Sequence, residues 1–578
     1  MWRRYCVQIN MFWWTMLILL FSPLSGTCEK TVLYVGQNQT YTTLQEAVRS
    51  LTENQSAEIV IEGVICEKGQ LEIRNCKLRL IAEKNAQWIF NGLFTIRENA
   101  AVILGGDEGI LSITGNIIAS NSDVQVSKGV EITSEGTALS VMHGSLVIDD
   151  GSFRGTTGIE LVNTQAAFHG GMFCGAPALL AQSSEIHEIT GGLFFSGERE
   201  AVHLSYSRLE RITDGRFVSA APSENSGRAA FYADHESYIH TIYGGNFTAS
   251  SGSGLLLIRG SKIGTIHGGT FESLSGNEEA GYCHHGLAVI AGSDGYETGI
   301  GAICGGTFHA YGDTQSYGAF LQCNADGTVY IGSIEGNPCF TGTSGMVIEN
   351  VHSTGTAKVH QIAGGRFYSK RRQADLYLDA GLKIASGYVE TIAGGAFVAT
   401  RWRSPAVLLT AVCEMDTQSI GESGYIESMN GGRFISVDAP AVSLGNHSRV
   451  GCISGGFYYG SCAVMVNSGT DLHIDGGIFF GTRQSCIRLE DRQALLILEH
   501  NLQRQAAGNA RFMVKDYLME GVQDKHIFAA YSSGQIVFPS YMEKGAVQCY
   551  ELTGQDTETQ HISDLVKGFP FFYLISAH

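Results

Sequence analysis

The tetrapeptide Gly-Gly-x-Phe returns nine times in this chain, and that repetition constrains the fold more than any other feature of the sequence. Its copies end at Phe173, Phe194, Phe247, Phe271, Phe308, Phe367, Phe397, Phe434 and Phe479. Four variants keep the same frame and end at Phe153, Phe217, Phe340 and Tyr458. Successive aromatic markers lie 20 to 37 residues apart. This period predicts a solenoid in which each unit packs only on its two neighbours.

The residues around each marker indicate short strands and tight turns. Asp150 and Asp214 replace the first glycine in two variants, and a short polar side chain is among the few that tolerate a left-handed backbone. Upstream of the glycines, apolar residues recur three positions apart, as in Ile239-His240-Thr241-Ile242. Downstream comes a short apolar run such as Leu255-Leu256-Leu257-Ile258. Each unit is therefore expected to contain two or three strands separated by corners.

The repeat length selects among the solenoid architectures. The shortest units fit a single turn of a right-handed parallel β-helix, and the longer units are the same coil with extra loop. Stacking equivalent strands about 4.8 Å apart would place each Phe on the next. Leucine-rich repeats need a constant Leu and Asn spacing that is absent, and a β-propeller needs about 40 residues per blade. The predicted fold is all-β, a right-handed parallel β-helix of roughly 17 coils between two caps.

The ends of the chain differ from its repeated body. Arg3 and Arg4 precede an apolar stretch and then Ser25-Gly26-Thr27, which is typical of a signal peptide over residues 1–27, with a membrane anchor as the alternative. Thr43 with Glu46 forms a capping box that predicts a short helix, within an N-terminal cap over residues 28–57. The remaining predicted segments are early coils over 58–148, Gly-Gly-x-Phe coils over 149–496 and a C-terminal cap over 497–578.

The chain resembles the pectin lyase-like superfamily of β-helices. The resemblance rests on Tyr41-Thr42-Thr43-Leu44-Gln45-Glu46-Ala47-Val48 and on the coil pattern from about residue 58 to residue 490. It covers most of the chain after the signal, but it is architectural. That superfamily contains pectate lyases, polygalacturonases, pectin esterases, phage tailspikes and many non-catalytic surface proteins. The resemblance therefore implies a fold and leaves the activity open.

The net charge and the export signal limit which partners the protein can have. The formal net charge is −18 and only 16% of the residues are charged, which argues against nucleic acid as a partner. The predicted signal peptide indicates a secreted or cell-surface protein with no membrane span once the signal is removed.

Neither family of pectin-degrading active sites is evident in the sequence. A pectate-type lyase would hold calcium with carboxylates on neighbouring coils, but Asp150 and Asp214 occupy turns of coils that are not adjacent. A polygalacturonase would need an acid and a base facing across one bond, and the expected order of motifs is missing around His169. Cys283-His284-His285 matches no zinc spacing and fits a polar loop. We therefore expect no metal and no cofactor.

The loop that follows the Phe in the middle coils is the best-placed candidate for binding. It is the longest and most variable part of each unit, and binding residues concentrate in such loops. It carries His284, His285 and His309 as well as charged and aromatic residues. The predicted ligand-binding residues on this flank are Tyr311, Tyr317, Lys370, Arg371, Arg372, Arg401, Trp402 and Arg403. Guanidinium groups bind carboxylate or sulfate in a bidentate manner and a Trp offers a stacking surface, so the flank predicts an acidic glycan or a host protein as ligand.

Three functions remain open at this point. The sequence favours a non-catalytic β-helix that binds glycan or a host glycoprotein along one flank. The second hypothesis is a polysaccharide lyase or glycoside hydrolase acting on acidic polysaccharide, and the third is a passive stalk. An enzyme should show carboxylates or cations that converge across two or three coils and have perturbed pKa values. A stalk should show no coherent surface patch.

Overall fold

The computed structural model describes most of the repeated body of the chain. The described residues are 31–105, 108–222, 229–274, 284–292, 295–312, 315–351, 354–370, 379–400, 403–411, 423–445, 448–466, 471–482, 487–489, 495–498, 511–515, 528–530, 535–537 and 548–552. The predicted signal peptide over residues 1–27 lies outside them. None of the helices in the described residues is long and apolar enough to cross a membrane.

Parallel strands wind the chain into a β-helix, as the repeat predicts. Each regular coil contains three strands, which stack on the equivalent strands of the coils before and after to give three faces. Within the described residues, face 1 is a 20-stranded sheet, and faces 2 and 3 together form a 35-stranded sheet. One continuous core of apolar side chains fills the space between the faces. The fold class is thus all-β and solenoidal.

The strands are assigned to the faces by their pairing. Face 1 contains Thr31–Val35, Ser56–Ile61, Lys77–Ala82, Ala101–Leu104, Asp123–Val126, Ser145–Ile148, Gln165–Phe168, Glu185–Ile189, Arg208–Ile212, Tyr238–Ile242, Lys262–Ile266, Glu297–Ile303, Thr328–Ile334, Thr356–Ile362, Tyr388–Ile392, Tyr425–Met429, Arg449–Ile453, Asp471–Ile474, Leu495–Leu498 and Gln535–Val537. Face 2 contains Ile110–Thr114, Val130–Thr133, Ser152–Arg154, Met172–Cys174, Leu193–Ser196, Arg216–Ser219, Asn246–Ala249, Thr270–Ser273, Thr307–Ala310, Cys339–Gly342, Arg366–Ser369, Ala396–Ala399, Arg433–Ser436, Phe457–Gly460, Ile478–Gly481, Arg511–Lys515 and Gln548–Leu552. Face 3 contains Ile117–Ser120, Thr137–Met142, Thr157–Val162, Leu179–Gln182, Val202–Ser205, Ala229–Asp234, Ser253–Ile258, His284–Ala291, Ser316–Cys323, Ser344–Asn350, Leu382–Ala385, Val407–Thr410, Val442–Leu444, Val464–Val466, Ile487–Leu489 and Phe528–Ala530. Two long strands, Val64–Arg74 and Gln87–Arg97, run through both faces 2 and 3 in the earliest coils.

The aromatic markers form the predicted ladder inside the coil. All thirteen, from Phe153 to Phe479, have no solvent exposure. Each ring stacks on the next, with centroids 4.5 to 5.3 Å apart. Because a strand alternates its side chains between two faces, the residues on either side of a marker point outward.

The glycine pair has two separate structural roles, and this corrects the expectation from the sequence. The second glycine adopts the left-handed conformation, with φ of +106° at Gly245. The first glycine allows a close backbone approach, because a Cβ on Gly244 would lie 2.6 Å from the carbonyl oxygen of Thr213 in the previous coil. Left-handed tolerance therefore does not explain Asp150 or Asp214, whose carboxylates instead accept from the following backbone N–H at 2.8 Å.

A short helix, Leu44–Arg49, lies near the first coils, as the capping box predicts. The Thr43 hydroxyl accepts from the backbone N–H of Glu46 at 3.2 Å, and the Glu46 carboxylate accepts from the N–H of Thr42 at 3.2 Å. Leu44 is buried and joins the core of the coils. The buried Glu67 carboxylate accepts from the N–H of Leu44 and fixes the start of the helix against the second coil.

The ladder of strands extends further toward the C-terminus than the sequence predicts. The expectation that the repeat ends near Ile497 is wrong, because Arg511–Lys515 pairs in parallel with Ile478–Gly481 and then with Gln548–Leu552. Phe512 stands in register with Phe479 without a glycine pair before it. The number of strands in face 1, 20, accordingly exceeds the roughly 17 coils expected. Strand pairing requires extended backbone, and it does not require the glycine marker that made the other coils visible.

Candidate functional site

Half of the predicted binding flank lies outside the described residues. The structure shows that the loops in question connect face 2 to face 3. Arg371, Arg372, Arg401 and Trp402 fall in segments of those loops outside the described residues. Arg403, which is described, has a left-handed backbone with φ of +65°. The predicted cluster of five cations around a Trp thus remains a prediction.

Two other predicted residues, Tyr311 and Lys370, lie close to the same imidazole. Tyr311 is about half exposed, and its ring stacks on that of His309 with centroids 3.9 Å apart. The Tyr311 hydroxyl donates to the Glu272 carboxylate at 3.4 Å. Burial lowers the pKa of His309, and the charge of Lys370 lowers it further. These residues form a small surface with an aromatic ring and a cation near the start of the flank loops.

The structure places Tyr317, His284 and His285 in face 3 rather than in the flank loops. They belong to the strands His284–Ala291 and Ser316–Cys323. His285 is fully buried, stacks on the Tyr317 ring at 4.9 Å and accepts from the backbone N–H of Tyr317 through Nδ1. Burial lowers the pKa of both histidines. The expectation that the two histidines lie in a binding loop is wrong, because the strand begins earlier than the sequence indicates and both are buried, whereas Tyr317 is half-buried and its predicted role in binding stays a prediction.

A row of aromatic and cationic residues on the outer surface of face 1 is the more extended candidate site. In ten consecutive coils the same register position is held by Glu185, Arg208, Tyr238, Lys262, Gly299, Tyr330, Lys358, Tyr388, Tyr425 and Arg449. We call the part from Arg208 to Arg449 the tyrosine strip. Its four tyrosines are half-buried, so each ring keeps part of its surface exposed.

Glycines let the tyrosine rings lie against face 1. A Cβ on Gly299 would lie 2.4 Å from the Tyr330 ring, so that ring covers the glycine of the preceding coil. A Cβ on Gly264 would lie 3.1 Å from the Tyr238 hydroxyl, for the same reason. The absence of side chains at these positions leaves room for the two rings to lean onto the neighbouring coil. Each ring is thus packed on one side and keeps part of its surface exposed.

Cations are interleaved with the tyrosines and contact their faces. The Arg208 guanidinium lies 5.4 Å from the Tyr238 ring centroid, and that of Arg449 lies 4.5 Å from the Tyr425 centroid. Tyr425 in turn stacks on Tyr388 at 5.4 Å. Contacts of this kind stabilise by about 0.5–1 kcal/mol at exposed sites. They also hold both partners in one orientation, which reduces the entropy lost when a ligand binds.

The sequence contains a signal for this strip. It is the residue immediately before each pair of apolar residues that stand three positions apart. That residue is tyrosine in Tyr330-Ile331-Gly332-Ser333-Ile334 and in Tyr388-Val389-Glu390-Thr391-Ile392. Aligning the units on the apolar pair would have placed the strip in one column.

A second candidate site is a network of charged side chains in face 3 and at the corners beside it. The buried Glu200 carboxylate lies 3.0 Å from Arg199 Nη2 and 3.1 Å from His203 Nδ1. The other imidazole nitrogen of His203 lies 3.3 Å from the carboxylate of Asp234, in the next coil. No pattern in the sequence indicates this network, because its members are separated by loops of different lengths and meet only through the strand register.

The pKa shifts in this network of side chains favour the charged forms. Burial alone would raise the pKa of Asp234, but hydrogen bonds from His203 and His235 lower it to about 2. Burial raises the pKa of Glu200, but the hydrogen bond with His203 lowers it, and the net shift is downward. Burial lowers the pKa of His203, but its bonds to Asp234 and Glu200 outweigh that effect and raise it. Both carboxylates are therefore ionised at neutral pH, and the histidine between them is stabilised as a cation.

The arrangement differs from a pair of catalytic carboxylates. Glycoside hydrolysis needs one carboxyl group with a raised pKa to donate a proton and a second that stays ionised. Here both pKa values move downward, and both nitrogens of His203 are engaged by carboxylates. No group of three or more His, Cys, Asp or Glu side chains in the described part of the chain is arranged to hold a metal ion.

Comparison of the chain with protein-family models, with curated proteins and with solved structures finds no match in any of the three.

Proposed function

We propose that this chain is a secreted or cell-surface β-helix protein that binds glycan, free or on a host glycoprotein, without cleaving it. The tyrosine strip is the observation that carries the proposal. Aromatic rings that are held in one orientation and partly exposed can stack on the apolar faces of sugar rings. The cations between them can bind hydroxyl or acidic groups of the same saccharide.

The periodicity of the strip supports a polymeric ligand. Its positions repeat with each coil, about 4.8 Å apart along the axis, over nine coils. A linear glycan that lies along face 1 could contact several tyrosines at once. Contacts made by one molecule at several sites raise the overall affinity well above that of each contact.

We include the predicted flank loops in the proposal as a second binding surface. Tyr311 and Lys370 adjoin His309 near the start of the loops that carry Arg371 and Arg372. A saccharide or protein segment reaching this side would meet an exposed aromatic ring beside cations. We also propose a right-handed winding, since parallel crossovers are right-handed in nearly all cases, and membership of the pectin lyase-like superfamily.

A polysaccharide lyase or glycoside hydrolase is the second candidate. The network of charged side chains from Arg199 to Asp234 favours an enzyme. Carboxylates and an imidazole converge there across neighbouring coils and have perturbed pKa values. The direction of those shifts counts against it, as neither carboxyl group is kept protonated for acid catalysis. A passive stalk would not need the aligned tyrosines of face 1.

Replacing Tyr388 and Tyr425 together with alanine is expected to weaken glycan binding at least about tenfold. Truncating a tyrosine at the centre of a binding surface costs more than about 1 kcal/mol, and about 1.4 kcal/mol is a tenfold change in Kd. Isothermal titration with the glycan that binds the wild-type chain most tightly measures the change.

Two matched controls accompany this double variant. Tyr388→Phe removes only the hydroxyl that donates to Glu427, so the stacking surface and the affinity should be retained. Tyr34→Ala removes an exposed tyrosine that also lies on face 1 but far from the strip, and its affinity should equal that of the wild type. Unchanged binding by the double variant would contradict the proposal that face 1 is the binding surface.

A further inference from the structure

A left-handed turn joins face 3 to face 1, and it carries a bulky side chain in three adjacent coils. In earlier coils the same position holds Asn121, His143, Asn163 and Ser183, with φ of +49° to +55°. Tyr206, His235 and Arg259 take the left-handed position in three successive coils, with φ of +50°, +49° and +49°. Asparagine tolerates this conformation, whereas bulky side chains are strained in it. Strain retained at neighbouring positions is typical of functional sites.

The three side chains contact one another on the surface. The Tyr206 and His235 rings lie with centroids 4.9 Å apart and planes inclined by 31°. Arg259 Nη1 lies 3.3 Å from His235 Nε2. Tyr206 is 60% exposed and Arg259 is also exposed. We call these three residues the turn triad.

The buried Asp234 carboxylate orients the turn triad. Asp234 Oδ2 lies 3.0 Å from His235 Nδ1, and the other Asp234 oxygen is held by His203 at 3.3 Å. The Asp234 carboxylate can only accept, so it fixes the His235 proton on Nδ1 and leaves Nε2 to accept from Arg259. The guanidinium is thereby held in place by one N–H while its other donors remain available. Among the described residues, Arg259 forms no ion pair with a carboxylate.

The backbone beneath the triad is fixed by a ladder of buried hydroxyl groups. The Ser207 hydroxyl accepts from the N–H of Ser184 at 3.1 Å, and the Ser237 hydroxyl accepts from the N–H of Ser207 at 3.1 Å. Both serines are almost fully buried. Because the turn is held by hydrogen bonds between coils, the triad is presented on a rigid support. Groups fixed in place before binding lose less entropy when a ligand arrives.

The triad adjoins the tyrosine strip in the same three coils. Arg208 follows Tyr206 by two residues, and Tyr238 and Lys262 follow His235 and Arg259 by three. A saccharide lying along face 1 would therefore have one edge beside the turn.

We propose that the turn triad is the subsite for the anionic group of a saccharide. Arg259 binds a carboxylate or sulfate group through its remaining donors, and Tyr206 stacks on the sugar ring that carries it. The inference rests on the proposed function in taking a saccharide as the carrier of the anion. A local cation held ready for this contact matters on a chain of net charge −18, which repels acidic polymers over most of its surface.

Arg259→Asn tests the subsite, because asparagine suits this turn in other coils. Titration with a uronate oligosaccharide, a sulfated oligosaccharide and a neutral one of the same length compares the two anionic groups directly. We expect affinity for one or both anionic probes to fall about tenfold or more, with unchanged affinity for the neutral probe. The unfolding midpoint should stay the same or rise, since the strain is relieved. Equal losses for all three probes, or no loss for any, would overturn the inference.

A second readout separates the subsite from the proposed function. Inorganic sulfate is titrated into the whole chain carrying nitrogen-labelled histidine, and the imidazole signal of His235 is followed by NMR after assignment with His235→Gln. A saturable shift that Arg259→Asn abolishes supports the anion subsite even if no glycan binds, in which case the proposed function alone fails. Absence of a shift overturns the subsite, and glycan binding by the tyrosine strip is then unaffected.

Discussion

Replacing Phe271 with alanine is expected to lower the free energy of unfolding by about 3–5 kcal/mol. Its ring is fully buried and stacks on Phe247 at 4.6 Å and on Phe308 at 4.7 Å. The substitution therefore removes a large apolar side chain, two aromatic contacts and the continuity of the ladder, and the parallel strands on either side cannot close the gap without giving up their hydrogen bonds. Guanidinium unfolding followed by circular dichroism measures the loss.

Phe195→Ala is the matched control for this substitution. Phe195 follows a marker, belongs to the strand Leu193–Ser196 and points outward, with 39% of its surface exposed. Because it contributes little to the core, its removal should change stability by much less than removal of Phe271. Similar unfolding curves for the two variants would contradict the ladder, because an inward and an outward Phe would then contribute equally.

Glu200→Gln is expected to destabilise the chain by roughly 3 kcal/mol, the second large effect. The substitution keeps the volume of the side chain but removes the buried charge that pairs with the partly exposed Arg199 and with the mostly buried His203. Removing one partner of a buried ion pair leaves the other charge uncompensated, and His203 retains only Asp234. Denaturant unfolding near pH 5.5 measures the effect, with exposed Glu210→Gln as the control.

The effect of Glu200→Gln should depend on pH in a defined direction. The pKa of His203 is raised in the folded chain, so its contribution is complete below about 6.5 and is lost as pH rises through the folded value. The pKa of Glu200 is lowered in the folded chain, so its contribution is complete above about 4.5 and is lost as pH falls through the folded value. The stability difference between wild type and variant should therefore be largest between about pH 4.5 and 6.5. A difference that does not vary with pH would show that the ion pairs are not its source.

The fold could be predicted from sequence because its main determinants are local and repeated. The Phe markers fix which side chains point inward, and the second glycine of each pair fixes a left-handed turn, as at Gly245. The coils beyond Ile497 were missed because they lack the glycine pair, although the strand register continues, as the pairing of Phe512 with Phe479 shows.

The candidate sites were harder to predict because they arise between coils. Tyr238 and Lys262 become neighbours through strand register, although 24 positions separate them in sequence. His203 and Asp234 meet in the same way, across a loop whose length no other unit shares. His284 and His285 suggested a polar loop, but the strand that contains them is long enough to bury both. Sequence patterns within a unit identify such residues only when the units are first aligned.

The most direct test of the account measures glycan binding and glycan cleavage in the same samples. The purified chain is applied to an array that includes neutral, uronate and sulfated saccharides, and the same saccharides in solution are assayed for new reducing ends and unsaturated products. If the tyrosine strip binds glycan without cleaving it, binding depends on Tyr388 and Tyr425 and no product is formed. Release of product by the wild-type chain, or binding that survives the loss of both tyrosines, would contradict it.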